Sequence, residues 1–151
     1  MTKQQKKLAA VLCCAAGVGV LLCAAVHFWL SGQRSYELHL PDFGDLKGVA
    51  LTQRGGGEVK LVDAYAEDVL FILKGNGRTT KTESVQDAPV NVADWIQVDM
   101  SFQKGGTSTL FVYHRPGKDG EYFIEQPYNG IYEISGEEYN SIWRYASESQ
   151  A

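Results

Sequence analysis

Alternating apolar and polar positions predict that most of the chain after residue 35 forms short β-strands. Residues 96–102 show the clearest alternation, with an apolar side chain at every even position. A period of two is typical of a strand that buries one face. The same pattern, interrupted by turns rich in glycine and proline, predicts further strands near residues 37–40, 49–52, 59–62, 110–114, 122–126 and 131–134.

Two other stretches have the period of an α-helix. Apolar residues within 66–73 recur at i, i+3, i+4 and i+7, and Asp63 precedes them as a candidate N-cap. A second apolar stripe, within residues 139–146, follows a capping box made by Ser135 and Glu138. Both stripes predict helices that pack one face against the sheet.

The N-terminal segment has no such periodicity. Residues 8–30 contain no Asp, Glu, Lys or Arg, and about 20 apolar residues are enough to cross a bilayer. Three lysines precede this run, so the positive-inside rule predicts a cytoplasmic tail at 1–7 and a domain outside the cell at 36–151, joined by a linker at 31–35. A cleaved signal peptide is the alternative, although signal h-regions are usually only about 7–15 residues long.

Together these patterns predict an α+β fold, with an N-terminal transmembrane helix followed by a small antiparallel sheet and two helices. From residue 31 onward the chain carries 11 Lys and Arg against 18 Asp and Glu. This net charge of about −7 argues against nucleic acid as a partner, because phosphate binding needs a basic surface. All three cysteines lie within residues 8–30, so the predicted domain has no disulfide and no thiol nucleophile.

Enzyme and cofactor motifs are missing from the sequence. It contains no G-x-S-x-G elbow, no H-E-x-x-H pair and no glycine-rich phosphate loop. We therefore expect no catalytic residue, no metal ion and no cofactor. One enzymatic alternative is a hydrolase of another type that uses Glu125 with His114, which would require the two side chains to meet in a cleft.

Residues 122–132, which read Tyr-Phe-Ile-Glu-Gln-Pro-Tyr-Asn-Gly-Ile-Tyr, are the most unusual stretch. They hold four aromatic side chains, one proline and one carboxylate. Tyrosine suits recognition, because its ring supplies contact area and its hydroxyl supplies direction. The competing interpretation is that these rings pack in the core beneath the last helix. The candidate binding residues are Tyr122, Glu125, Gln126, Tyr128, Asn129 and Tyr132.

This segment, together with Glu138, Tyr139 and Ile142, resembles a family of membrane-anchored or exported proteins of Gram-positive bacteria that is known only as a domain of unknown function. The resemblance runs from about residue 36 to residue 146, and the string Glu-Gln-Pro-Tyr-x-Gly-Ile-Tyr is its most specific part. It implies a compact domain outside the cytoplasm and brings no catalytic residue or cofactor with it.

The expected function is therefore a non-catalytic binding or accessory module at the bacterial cell surface. Its expected partners are the membrane, through a single-pass anchor, and an envelope component, a peptide or another membrane protein. A structural or inhibitory protein-interaction domain is the first alternative, and the hydrolase is the second.

Overall fold

The computed structural model describes residues 19–29, 32, 34–117 and 121–148. The chain divides into two compact units, Met1–Arg34 and Ser35–Ala151. Within the first unit, the described residues 19–29 are helical, and we call this segment α1. The predicted cytoplasmic tail lies outside the described residues.

The predicted fold class is wrong at the N-terminus. In the described part of the chain, no helix combines the length and the apolar character that crossing a membrane requires. This finding overturns the predicted transmembrane helix.

The second unit is also richer in sheet than the predicted small sheet with two helices. It contains helices α2 (Asp63–Lys74) and α3 (Gly136–Glu148) and a 3-10 turn at Phe43–Asp45. A six-stranded antiparallel sheet dominates it, in the spatial order β3-β2-β5-β6-β7-β8, and a two-stranded ladder pairs β1 with β4. The strands are β1 (Tyr36–Glu37), β2 (Leu46–Gln53), β3 (Glu58–Leu61), β4 (Thr79–Thr80), β5 (Trp95–Phe102), β6 (Thr107–Arg115), β7 (Glu121–Glu125) and β8 (Ile131–Ile134).

One face of the six-stranded sheet carries the main core, and we call it the helical face because α2 and α3 pack on it. The apolar side chains at the even positions of β5, which the alternation predicts to be buried, point to this side, and three of them are fully buried. The apolar stripe of α2 at Ala66, Val69, Leu70 and Leu73 is buried against the same face. Both helical stripes therefore do what their periodicity predicted.

The opposite face of the sheet is covered over only part of its area. Residues 84–95 cross it, and Val92 packs there against Phe111 and Tyr113 in a second, smaller cluster. Near β3 this face is open, with Glu58 and Lys60 exposed to solvent. The sheet thus has a helical face that is closed and a second face that is only half covered.

The helix ends show which capping signals were correct. The capping box is confirmed, because the Ser135 N–H donates to Glu138 at 2.8 Å and the Glu138 N–H donates to the Ser135 hydroxyl at 3.2 Å. Asp63 is not an N-cap; it is the first residue of α2, with φ of 51°, and no side chain caps this helix end. Arg78 instead caps the other end of α2, donating to the carbonyls of Ile72 and Leu73.

Arg78 also joins the two helices. Its guanidinium forms an ion pair with Glu138, and only 13% of the Arg78 side chain and 30% of the Glu138 side chain are exposed. Burial opposes ionisation of Glu138, but the Ser135 N–H and the Arg78 charge outweigh it and lower the pKa of this carboxyl. One cation therefore neutralises the C-terminal end of α2 and the acidic first turn of α3.

Candidate functional site

The candidate site lies where β7 ends and the chain turns into β8. An open cleft of about 540 Å³ lies at this turn, a volume within the range of small-molecule and peptide sites. It lies between the first residues of β6 on one side and the β7–β8 turn on the other. The lining residues are His39, Thr107, Ser108, Thr109, Gln126, Pro127, Tyr128 and Asn129.

Gln126, a predicted binding residue, forms part of the wall of this cleft. Its amide nitrogen donates to the carbonyl of His39 at 2.9 Å, and its amide oxygen accepts the His39 N–H at 3.0 Å. The side chain thereby pairs with the backbone of His39 much as a neighbouring strand would. Gln126 fixes the segment after β1 against the turn, and its amide is occupied by that contact.

Asn129 is the centre of a polar network behind the turn. Its amide nitrogen lies 2.7 Å from the carbonyl oxygen of Glu37, 2.6 Å from the side-chain oxygen of Gln126, 2.9 Å from the Tyr132 hydroxyl and 3.2 Å from Nδ1 of His39. An amide has only two hydrogens to share among these four acceptors. Asn129 is therefore held from several directions and orders the turn.

Tyr132 belongs to the core and not to the surface. Only 1% of the residue is exposed, and it packs within the main core on the helical face. Burial, and after it the negative charge of Glu37, raises the pKa of Tyr132 to about 12. Tyr132 is one of the candidate binding residues, and its burial leaves the ring without an exposed face.

Glu125 is buried on the second face of the sheet. It is 3% exposed and accepts a hydrogen bond of 2.6 Å from the Ser84 hydroxyl. Burial, and after it the charge of Glu125, raises the pKa of the neighbouring Tyr113 well above its ordinary value, and Arg115 opposes this shift. Glu125 therefore fastens the segment that begins at residue 84 to the sheet.

Tyr128 is the one aromatic side chain of the predicted set that is largely exposed, at 67%. It occupies the turn with φ of 58°, a conformation that costs energy for any residue with a Cβ atom. Its hydroxyl donates to Asp87 at 2.6 Å, and this bond raises the pKa of the tyrosine. The ring stands at the rim of the cleft in a fixed orientation.

Tyr122 lies away from the cleft, in a row of half-buried rings on the helical face. Its ring centroid is 4.9 Å from that of His114 and 4.8 Å from that of Tyr139, which in turn stacks on Trp143. This is the core-packing alternative for the aromatic segment, and for Tyr122 that alternative holds. The ring closes the core beneath α3.

The pair proposed for hydrolysis does not meet. His114 is opposite Tyr122 and Glu125 is opposite Phe111 in the same β6–β7 ladder, and residues an odd number apart along a strand point to opposite faces. The imidazole therefore lies on the helical face and the carboxylate on the other. The described residues also contain no group of three or more His, Cys, Asp or Glu arranged to hold a metal ion.

Sequence reasoning missed the other wall of the cleft. His39 and residues 107–109 carry no motif, and the alternation at 107–109 differs little from that of any exposed strand end. One signal was available, because Pro127 comes two residues after the end of β7 and proline cannot continue a hydrogen-bonded ladder. The cleft opens because β7 ends opposite Phe111, so the first residues of β6 have no β7 residue beside them.

Comparisons with known proteins identify the family of the chain. No curated protein matches it, and no solved structure does. The family DUF5301, described as Domain of unknown function (DUF5300), matches residues 34–133. This match confirms the resemblance to a domain of unknown function, whereas the Gram-positive origin, the membrane anchoring and the string at 125–132 as its signature stay predictions. Because the match covers well over half of the sequence, the chain belongs to the DUF5301 family.

Proposed function

We propose that the unit Ser35–Ala151 is a non-catalytic binding module that takes its ligand in the cleft between β6 and the β7–β8 turn. The observation that carries the proposal is the cleft itself, with the exposed ring of Tyr128 held at its rim. Three of the six predicted binding residues, Gln126, Tyr128 and Asn129, line it. Ordered turns that present an aromatic ring beside polar groups are well suited to recognition.

The chemistry of the lining supports binding over catalysis. Among the described lining residues, His39 is the single imidazole, and the other side chains are hydroxyls, amides, a proline and a phenol. General acid–base catalysis works best with a second ionisable partner of matched pKa. Since the amides of Gln126 and Asn129 hold the turn, the hydroxyls and the phenol ring are the groups that contact a ligand, and they suit binding.

The proposal is tested by a thermal-shift screen on the purified full chain against short peptides, neutral oligosaccharides and cell-envelope fragments. A ligand at 100 times its Kd stabilises a fold by about 2.7 kcal/mol. We expect at least one class to raise the Tm of the wild type. Screening the full chain avoids any assumption about how its two units behave separately.

Two variants show whether a shift arises in the cleft. Tyr128→Asn removes the ring and keeps a residue that tolerates positive φ, so the fold should persist. Ligand binding should weaken about tenfold or more, and a tenfold change corresponds to about 1.4 kcal/mol. Phe71→Ala removes an aromatic ring that is 70% exposed on α2 and should leave binding unchanged. Equal binding by both variants, or no shift with any ligand class, would count against the proposal.

A structural or inhibitory protein-interaction domain is the second candidate. Two aromatic rings on α2 favour it, because Tyr65 is 63% and Phe71 70% exposed, and exposed apolar surface is typical of contact sites. Phe71→Ser should then abolish crosslinking to a membrane-protein or envelope partner, whereas Tyr128→Asn should not. The predicted location of residues 36–151 outside the cytoplasm is part of both proposals and needs its own test by protease protection in cells.

A further inference from the structure

The hydrogen-bonding direction of each strand residue can be worked out from the bonds at the strand ends. The N–H of Phe102 donates to the carbonyl of Gly106, and the N–H of Arg54 donates to the carbonyl of Trp95. Backbone groups of alternate residues point to opposite neighbours in an antiparallel sheet. Even residues of β5 therefore bond β6, and odd residues of β5 bond β2.

The same alternation continues into β6. Its even residues bond β5, so its odd residues point their N–H and C=O groups towards β7. Three of these odd residues each face a residue of β7, and the pair of Phe111 with Glu125 lies at the end of the β6–β7 ladder. A bond from the Gln126 N–H to the Gly130 carbonyl, on the β8 side, agrees with this assignment. Thr107 and Thr109 thus present two donors and two acceptors to a side where β7 has already ended.

Pro127 is the reason that these groups have no strand beside them. Continuing the β6–β7 register would put Pro127 opposite Thr109 and Asn129 opposite Thr107. Proline has no N–H to donate there, and the chain turns away at this point towards β8. Within the described residues no hydrogen bond reaches the backbone of Thr107 or Thr109 from the β7 side, and both residues line the cleft.

We infer that the cleft binds an extended peptide, which adds as a short strand along Thr107–Thr109. This inference rests on the proposed function and specifies its ligand. An unpaired strand edge is complementary to another strand, since main-chain bonds supply affinity and alternate side chains supply specificity. The rim formed by Pro127 and Tyr128 limits the added strand to a few residues.

The charges bonded to the cleft residues indicate which peptides fit best. Tyr128 donates to Asp87 and the Thr109 hydroxyl donates to Asp99, so each of these two lining residues contacts a carboxylate. Opposite charge favours encounter and register in a binding site. The peptide therefore carries at least one Lys or Arg side chain.

The test is a selection of random linear peptides displayed on phage, performed with the full chain. Selected peptides are synthesised, and each is also made with N-methyl groups at alternate backbone positions to remove single N–H donors. We expect enrichment of Lys and Arg and a loss of about tenfold or more in affinity for one of the two N-methylated series. Amide hydrogen exchange at Thr107 and Thr109 should slow when the peptide binds.

Protein variants address the same contact from the other side. Thr109→Pro removes the donor that faces the cleft and leaves the ladder to β5 intact, because the N–H groups bonded to β5 belong to Ser108 and Leu110. Thr109→Val keeps the backbone N–H and replaces only the hydroxyl with a methyl group. We expect the first variant to weaken peptide binding about tenfold and the second to change it little.

The outcomes separate this inference from the proposed function. Equal binding of both N-methylated series, or unchanged exchange at Thr107 and Thr109, would overturn strand addition. If no peptide is selected but an oligosaccharide shifts the Tm in a manner sensitive to Tyr128→Asn, the cleft binds a ligand and the peptide assignment is wrong. If neither a peptide nor an oligosaccharide binds, both proposals fail.

Discussion

Gly130 offers a sharp test of how the β7–β8 turn is built, through the substitution Gly130→Ala. An added Cβ would lie 2.7 Å from Cγ2 of Thr80 and 2.8 Å from the hydroxyl of Tyr132. Carbon atoms in contact prefer separations of about 3.5–4.0 Å. The φ of Gly130 is outside the positive region, so steric overlap is the main effect of the substitution.

The expected magnitude follows from how little the neighbours can move. Tyr132 is 1% exposed, and Thr80 is paired with Tyr36 in the β1–β4 ladder. Overpacking of this kind costs about 1–3 kcal/mol, and the lower backbone entropy of unfolded alanine recovers about 0.4–1 kcal/mol. We expect a net loss of about 1–2 kcal/mol, which for a chain of this size lowers the Tm by about 2–8 °C.

Urea unfolding followed by tryptophan fluorescence would measure the change in the free energy of unfolding. Gly44→Ala is the matched control, because its added Cβ has no atom within 4 Å and its φ is also outside the positive region. That variant should stay within about 0.5 kcal/mol of the wild type. Equal stability of the two alanine variants would refute the packing argument.

A second substitution identifies the atom responsible. Thr80→Ser removes Cγ2 and keeps the hydroxyl that accepts the Thr82 N–H. Combined with Gly130→Ala, it should recover about 0.5 kcal/mol or more through coupling between residues in contact. Strict additivity of the two changes would show that Gly130 is needed for some reason other than its distance from Thr80.

Three further predictions concern Arg78, Glu138 and Tyr132. Arg78→Met, which leaves the last carbonyls of α2 and Glu138 without their cation, should cost about 2–3 kcal/mol in urea unfolding. Lys74→Met removes an ion pair with Asp42, whose side chain is 98% exposed, and should cost at most about 1 kcal/mol. Because the pKa of Glu138 is lowered on folding, its contribution to the free energy of unfolding is fully present above the unfolded pKa of about 4.3 and is lost as pH falls through the folded pKa. The difference in stability between the wild type and Glu138→Gln should therefore become smaller in acid, and a difference that does not change with pH would contradict this. Since folding raises the pKa of Tyr132 to about 12, stability should fall as pH rises from about 10 to 12, and Tyr132→Phe should reduce that fall in an alkaline unfolding series.

Local sequence patterns predicted those elements of the second unit whose structure depends on a single kind of interaction. The alternation of residues 96–102 and the stripe at 66–73 each reflect burial of one face, and burial of apolar surface is the largest favourable contribution to folding. The capping box at Ser135 succeeded for a related reason, because both of its bonds lie within one turn of helix. Asp63 failed as a cap because its own backbone adopts positive φ inside the helix.

The site could not be predicted at the same level, because its residues meet across long stretches of sequence. His39 pairs with Gln126, 87 positions away, and Ser84 bonds Glu125, 41 positions away. No periodicity encodes such contacts. The chemical types of Gln126, Asn129 and Tyr132 predict ligand contacts, yet the structure uses that chemistry to hold the turn together.

The string from Glu125 to Tyr132 is therefore explained mainly by folding. Glu125 fastens one segment to the sheet, Gln126 fastens another, and Gly130 leaves room for the ring of Tyr132. Pro127 is different, because among the described residues it forms no hydrogen bond and its role is to stop β7 while β6 continues. If folding alone were selected, the first residues of β6 would be expected to pair with β7, since an unpaired strand edge can associate with other chains. An open end that is shielded by an ordered turn is better explained by a strand supplied from outside.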